Sequence, residues 1–258
     1  MRRHLRAEWT KLRTVADTGR LLTAVVALSV AVSAAAATTV SCPPAGCAYD
    51  AVKISLMGVQ VAQAAVVILA VLAVGGEYGT GMIRLTLAAM PRRTAVLAAK
   101  AAVVTGLALV SGSVAVLGSL LAGRLILPGN GFVPAHGQPP LSLADGPTLR
   151  AVAGSVLYLA LIALLGLGVG MVLRDSAAAL GVVFGLLYVP AVVPALVADP
   201  DWQRLLWQVS PMNAGLAVQA TTSLSTLPLG PWAGLGVTAC WAAVALLCGG
   251  LVLRLRDA

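Results

Sequence analysis

Five stretches of at least twenty residues carry no charged side chain: Leu21 to Val40, Ile54 to Gly76, Ala101 to Gly123, Ala151 to Leu173 and Ser176 to Ala198. A helix rising 1.5 Å per residue needs about 20 apolar residues to cross a hydrocarbon layer about 30 Å thick. Backbone polar groups in lipid must be satisfied within their own segment, and these runs lack the alternation of a barrel strand, so each predicts a helix. A longer uncharged stretch lies between Arg204 and Arg254, broken by Pro211, Pro228 and Pro231; one further span fits from about Trp232 to Leu253. The expectation is a single transmembrane domain over 1–258, all-α, with spans at about 21–40, 54–76, 101–123, 151–173, 176–198 and 232–253. Six crossings put both termini on one side.

Composition agrees. Hydrophobic residues form 59% of the chain and charged residues 10%, with mean hydropathy +0.95, outside the range of soluble globular domains. With the N-terminus inside, thirteen Lys and Arg fall on the inner face and four on the outer, which predicts cytoplasmic termini; fourteen Arg against three Lys, with abundant Ala, Gly and Val, point to a bacterial plasma membrane. The basic residues are spread over the ends of spans without interleaved aromatics, so nucleic acid is not expected as a partner. Membrane lipids are.

Leu5, Trp9, Leu12 and Ala16 recur at helical spacing, with Arg2, Arg3, Arg6, Lys11 and Arg13 on other faces. Residues 1–20 therefore predict an amphipathic helix lying in the interface, with Trp9 at headgroup level, ahead of an uncleaved first span. A basic leader followed by Ala35-Ala36-Ala37 also has the outline of a cleaved signal peptide, but Glu8, Asp17 and the length of the apolar run argue against cleavage. Cys42 and Cys47 flank Pro43-Pro44-Ala45-Gly46 in the first outer loop, where a disulfide, a free thiol pair and a metal site are the alternatives; neither histidine lies nearby, and no metal is expected. Cys240 and Cys248 read as small buried apolar residues of the last span. Gly166, Gly168, Gly170, Gly181 and Gly185 let helices approach closely, within the bundle or across a dimer seam.

Two segments are too apolar for solvated loops. From Leu205 to Pro231 there are 27 uncharged residues, with Trp202, Leu205, Leu206 and Val209 on one helical stripe, a break at Ser210-Pro211, and a second short helix from about Asn213 to Ala220 that includes Gly215. This predicts an outer re-entrant or interfacial pair with its irregular backbone buried against protein. The other segment is Gly76 to Arg93. Glu77 and Tyr78 leave the second span, Gly79 and Gly81 flex the chain, Met82 to Met90 reads as a helix, and Pro91 ends it. Met82, Ile83, Leu85 and Leu87 are too few to span and need a partner surface.

With Glu77, Gly81-Met82-Ile83-Arg84, Leu87, Pro91-Arg92-Arg93, the Glu8-Trp9-Thr10-Lys11-Leu12-Arg13 helix and Ser210-Pro211-Met212-Asn213-Ala214-Gly215, the chain resembles permease subunits of the type-two exporter class of ABC transporters. The resemblance covers the architecture of the whole chain and about forty residues of motif. It departs at Gly81-Met82, where members often carry Gly-Thr. It implies that this first cytoplasmic loop is a coupling helix seated on a separate ATPase subunit, with Glu77, Tyr78, Gly81, Met82, Ile83, Arg84, Leu87 and Pro91 as the coupling residues, that the N-terminal helix is an elbow helix, and that the chain pairs with itself or a sister permease. ATP and Mg would be used by the partner. This chain has no cofactor of its own, since none of its three lysines follows a glycine and no GxxxxGK[ST] loop exists.

Two other classes are weighed against this. An ion-coupled carrier usually holds ionisable groups in mid-membrane, and the six runs have none. An enzyme needs nucleophiles, acids or metal ligands inside the bundle, but His4 and His136 are the only histidines and both fall outside the runs, so no catalytic residue is expected. A non-catalytic scaffold subunit would also lack such chemistry.

Overall fold

The structure is a computed structural model that describes residues 9–10, 16–43, 49–79, 93–136, 141–193 and 199–256. Nine α-helices follow one another within these residues: α1 Ala16–Thr39, α2 Ala51–Ser55, α3 Val59–Gly79, α4 Arg93–Ile126, α5 Gly146–Leu173, α6 Ser176–Val192, α7 Pro200–Val209, α8 Pro211–Leu216 and α9 Pro231–Arg256. Short 3-10 turns at Leu127–Asn130, Pro134–His136, Ala217–Gln219 and Leu224–Thr226 complete the connections. No strand occurs among the described residues.

The scarce acids mark where helices begin. Asp50, Asp145, Asp175 and Asp199 are the N-caps of α2, α5, α6 and α7, each accepting from backbone N–H groups of the first turn that would otherwise lack a partner. Ser210 caps α8 in the same way, accepting from Asn213 N at 3.3 Å. Pro falls in the first two positions of α5, α7 and α8, where its missing N–H costs nothing. α5 stops at Arg174, whose left-handed φ of 60° lets its N–H close on Gly170 O at 2.9 Å.

α5 is the hub. It packs on α3, α4, α6 and α9, while α1 lies across α3 and α4. Gly168 makes the α5–α9 contact possible, because a Cβ there would sit 2.5 Å from the backbone carbon of Ala245. That glycine therefore serves packing within the chain. Tyr158, Leu159, Ile162, Leu165, Leu167 and Met171 of α5 are all fully buried, and one core cluster extends from them into the neighbouring helices.

Among the described residues, five helices are long and apolar enough to cross a membrane: Asp17–Thr39, Val59–Tyr78, Thr94–Asn130, Gly146–Leu173 and Pro231–Leu255. Their outward faces are apolar too, with Leu125 and Leu247 both 73% exposed, as expected of surfaces that meet lipid tails. α6 is apolar but has 17 residues, with Pro190 near its end, and residues 194–198 lie outside the described residues. The run from Ile54 to Gly76 is not one helix either. It breaks at Leu56 to Gly58, where Gly58 backs onto the carbonyl of Ser29 in α1 and donates its N–H to Ser33 Oγ at 3.0 Å. A second correction concerns Cys240 and Cys248. They are exposed thiols, because α9 turns its opposite face to α5.

Candidate functional site

Polar chemistry concentrates at the two ends of the bundle. At one, α3 continues to Gly79 and α4 begins at Arg93, so Glu77 and Lys100 meet inside the helix–helix contact. Lys100 Nζ lies 2.8 Å from Glu77 Oε1, with 2% and 9% of their side chains exposed, and donates to Ala73 O at 3.2 Å. Burial removes competing water, so the two charges hold each other strongly, but each would be costly alone. Arg174 joins this end, its guanidinium 5.2 Å from the centre of the Tyr78 ring and its Nη2 donating to Val252 O at 3.4 Å. Gly75 lies against the Ser176 side chain at the start of α6. One cluster thus ties α3 to α4, to the α5–α6 junction and to α9.

The other end is organised by Asp50. Besides capping α2 through Val52 N and Lys53 N, both at 3.1 Å, its carboxylate accepts from Thr221 N, Thr221 Oγ1 at 2.8 Å, Thr222 N at 3.1 Å and Thr222 Oγ1 at 3.4 Å. Arg150 Nη2 donates to Ala220 O at 2.6 Å next to it. The loop after α8 is thereby pinned to α2 and α5. Asn130 Nδ2 donates to Ala37 O at 2.7 Å, and Cys42 N donates back to Asn130 O at 2.9 Å, closing the neighbouring turn.

Between the ends runs a buried polar string. Tyr158 donates its hydroxyl to Gln63 Oε1, and Gln63 Nε2 lies 3.1 Å from Met212 Sδ. Gln219 Nε2 donates to Ser155 Oγ at 3.0 Å. These bonds satisfy side chains that would otherwise be orphaned in an apolar interior, and they fix residues 211–219 against α3 and α5. Gly215 is what admits this segment, since a Cβ there would lie 2.5 Å from both the Tyr158 ring and Thr238 Oγ1. Beside it, a cleft of about 550 Å³ opens between α2, the start of α3, α7, α8 and the loop at 222–227.

The residues expected from the sequence divide into three groups. Glu77 and Tyr78 come together with Lys100 and Arg174; Pro211, Asn213 and Gly215 pack into the bundle, Pro211 and Gly215 buried and Asn213 donating to Pro190 O at 3.3 Å. Trp202 stays 58% exposed on α7 with Leu206 half-buried, and Trp9 is 48% exposed. Gly81, Met82, Ile83, Arg84, Leu87 and Pro91, together with Leu5, Lys11, Leu12 and Arg13, lie outside the described residues. Cys42 is disulfide-bonded, and Cys47 also lies outside them. No group of His, Cys, Asp and Glu suited to a metal ion occurs among the described residues. No protein-family model matches the chain, and no curated protein matches it significantly.

Lys100, Asp50, Gln63 and Gln219 were not singled out by the sequence. Asp50 had a signal, since an Asp just before Ala51-Val52 has the form of an N-cap. Gln60 and Gln63 had one too, as polar residues three apart in an apolar run.

Proposed function

We propose that this chain is the membrane-spanning permease subunit of an ATP-driven exporter of the type-two ABC class, working as a homodimer or with a sister permease and driven by a separate ATPase subunit. The observation that carries the reading is the buried Glu77–Lys100 pair. It clamps together α3 and α4, the two helices that bracket the segment from 80 to 92. A force applied to that segment by a docked ATPase would move α3 and α4 as one body instead of prying them apart, and α5, packed on both, would follow. The sequence supplies the rest of the support: an apolar segment at 82–90 that needs a partner, and no phosphate-binding loop of its own. In the topology given by the basic residues, the Glu77 end is cytoplasmic and the Asp50 end faces outward.

The test is ATP hydrolysis by the chain purified with its co-eluting ATPase in nanodiscs. Ile83→Asp should abolish permease-stimulated hydrolysis while leaving insertion into the membrane intact; unchanged hydrolysis would sink the coupling role. A second reading rests on the same pair, because a buried ionisable pair among apolar helices is also what an ion-coupled carrier uses. Collapse of transport on adding an uncoupler at constant ATP would favour the carrier. A scaffold subunit would show neither response.

A further inference from the structure

The cleft at the Asp50 end has the size of a small-molecule site, about 550 Å³ in a range of roughly 300–1,000 Å³. Part of its lining is apolar: Ile54, Met57, Trp207, Leu216 and Leu227. The rest is mostly polar, and its charges are unequal in availability. Asp50 and Lys53 are the only charged residues that line it among the described residues. The Asp50 carboxylate already accepts from six donors, which fills its four or so lone-pair positions. Gln219 and Asn213 also line the cleft, and their amides are engaged with Ser155 Oγ and Pro190 O. These residues hold the walls.

What remains available is mostly donor. The exposed Lys53 ammonium makes no ion pair among the described residues, and the side chains of Tyr49 and Gln60 make no hydrogen bond among them. Ser223 lines the same cleft with a left-handed φ of 53°, a conformation disfavoured for a residue with a Cβ and often found at ligand clamps. The bonds of Thr221 and Thr222 to Asp50, just before it, hold it there.

We propose that this cleft binds an anionic amphiphile, its acid group against Lys53, Tyr49 and Gln60 and its apolar chain along Met57 and Trp207. The proposal is independent of the ATP-driven reading, because a carrier or a scaffold subunit with this cleft would bind the same ligand. The anionic group could belong to a bilayer lipid or to a free amphiphile, and the chemistry of recognition is shared.

The experiment titrates the full chain in phosphatidylcholine nanodiscs with octyl sulfate, octyl glucoside and octyltrimethylammonium, using calorimetry with empty nanodiscs as the blank. Octyl sulfate should bind saturably and octyltrimethylammonium should not. Lys53→Gln should weaken octyl sulfate roughly tenfold, the loss of one charge-assisted contact. Lys53→Glu should abolish it and admit octyltrimethylammonium, a reversal that misfolding would not produce. Including phosphatidylglycerol should displace octyl sulfate if the occupant is a lipid and leave its binding unchanged if it is a free amphiphile; both results keep the site. Equal uptake of all three probes, or binding that ignores both substitutions at Lys53, would overturn it.

Discussion

Glu77 and Asp50 are both carboxylates at the ends of apolar helices, and their surroundings differ in kind. Glu77 faces a full positive charge at 2.8 Å within a helix–helix contact, and the pair is almost wholly buried. Asp50 is half-buried and, among the described residues, takes only neutral donors, from its own helix and from a loop 171 residues away in sequence. The first arrangement is intolerant: each charge has lost its water, so removing one partner strands the other. The second is graded, because water can replace any one of several modest hydrogen bonds. One end of the molecule is therefore built as a rigid clamp and the other as a latch that can be loosened in steps.

The largest expected effect breaks the clamp. Lys100→Met should destabilise the fold by about 3–5 kcal/mol, as measured by unfolding in mixed micelles, since it leaves Glu77 buried without its charge partner. Replacing Glu77 by Met in the same chain should restore most of that loss. A double variant no better than the single one would show that the pair is not the unit described. Next comes the wedge beneath the latch: Gly215→Val drives new carbon into the Tyr158 ring and Thr238 and should cost about 1–3 kcal/mol in the same assay. Asp50→Ala should cost about 1–2 kcal/mol through the lost cap, and hydrogen exchange at the amides of Thr221 and Thr222 should quicken while that of α5 is unchanged. The smallest effect is Trp241→Phe, which removes the 2.9 Å bond from Nε1 to Val209 O; about 0.5–1.5 kcal/mol is expected, with exchange faster at the end of α7.

Most helices were legible in the sequence as long runs free of charge, because lipid leaves a chain few other ways to satisfy its backbone. The break at Leu56 to Gly58 was not, since nothing in Leu-Met-Gly forbids a helix; the cause is a close approach to Ser29, which only tertiary packing supplies. Lys100 was counted as a marker of the membrane face, and its burial depends on α4 starting at Arg93, ahead of the charge-free run. The sequence puts Glu77 in the segment expected to meet an ATPase, and its pairing with Lys100 through Oε1 joins two positions that no local pattern connects. Asp50 carries a visible cap signal, but its bonds to Thr221 and Thr222 join positions that no local pattern connects. The buried position of Gly215 follows from its own chemistry: flanked by Ala214 and Leu216, it fits where a larger side chain would clash with Tyr158 and Thr238.

We propose that outside work enters through residues 80–92 and is carried by the clamped pair α3 and α4. The most direct test is crosslinking at Arg84→Cys in native membranes, in a chain that also carries Cys240→Ala and Cys248→Ala to remove the exposed thiols of α9. An adduct with an ATP-binding subunit is expected, with a yield that changes when nucleotide is added. Failure to form that adduct with reagents of several lengths, while the chain remains inserted and folded, would contradict the proposal.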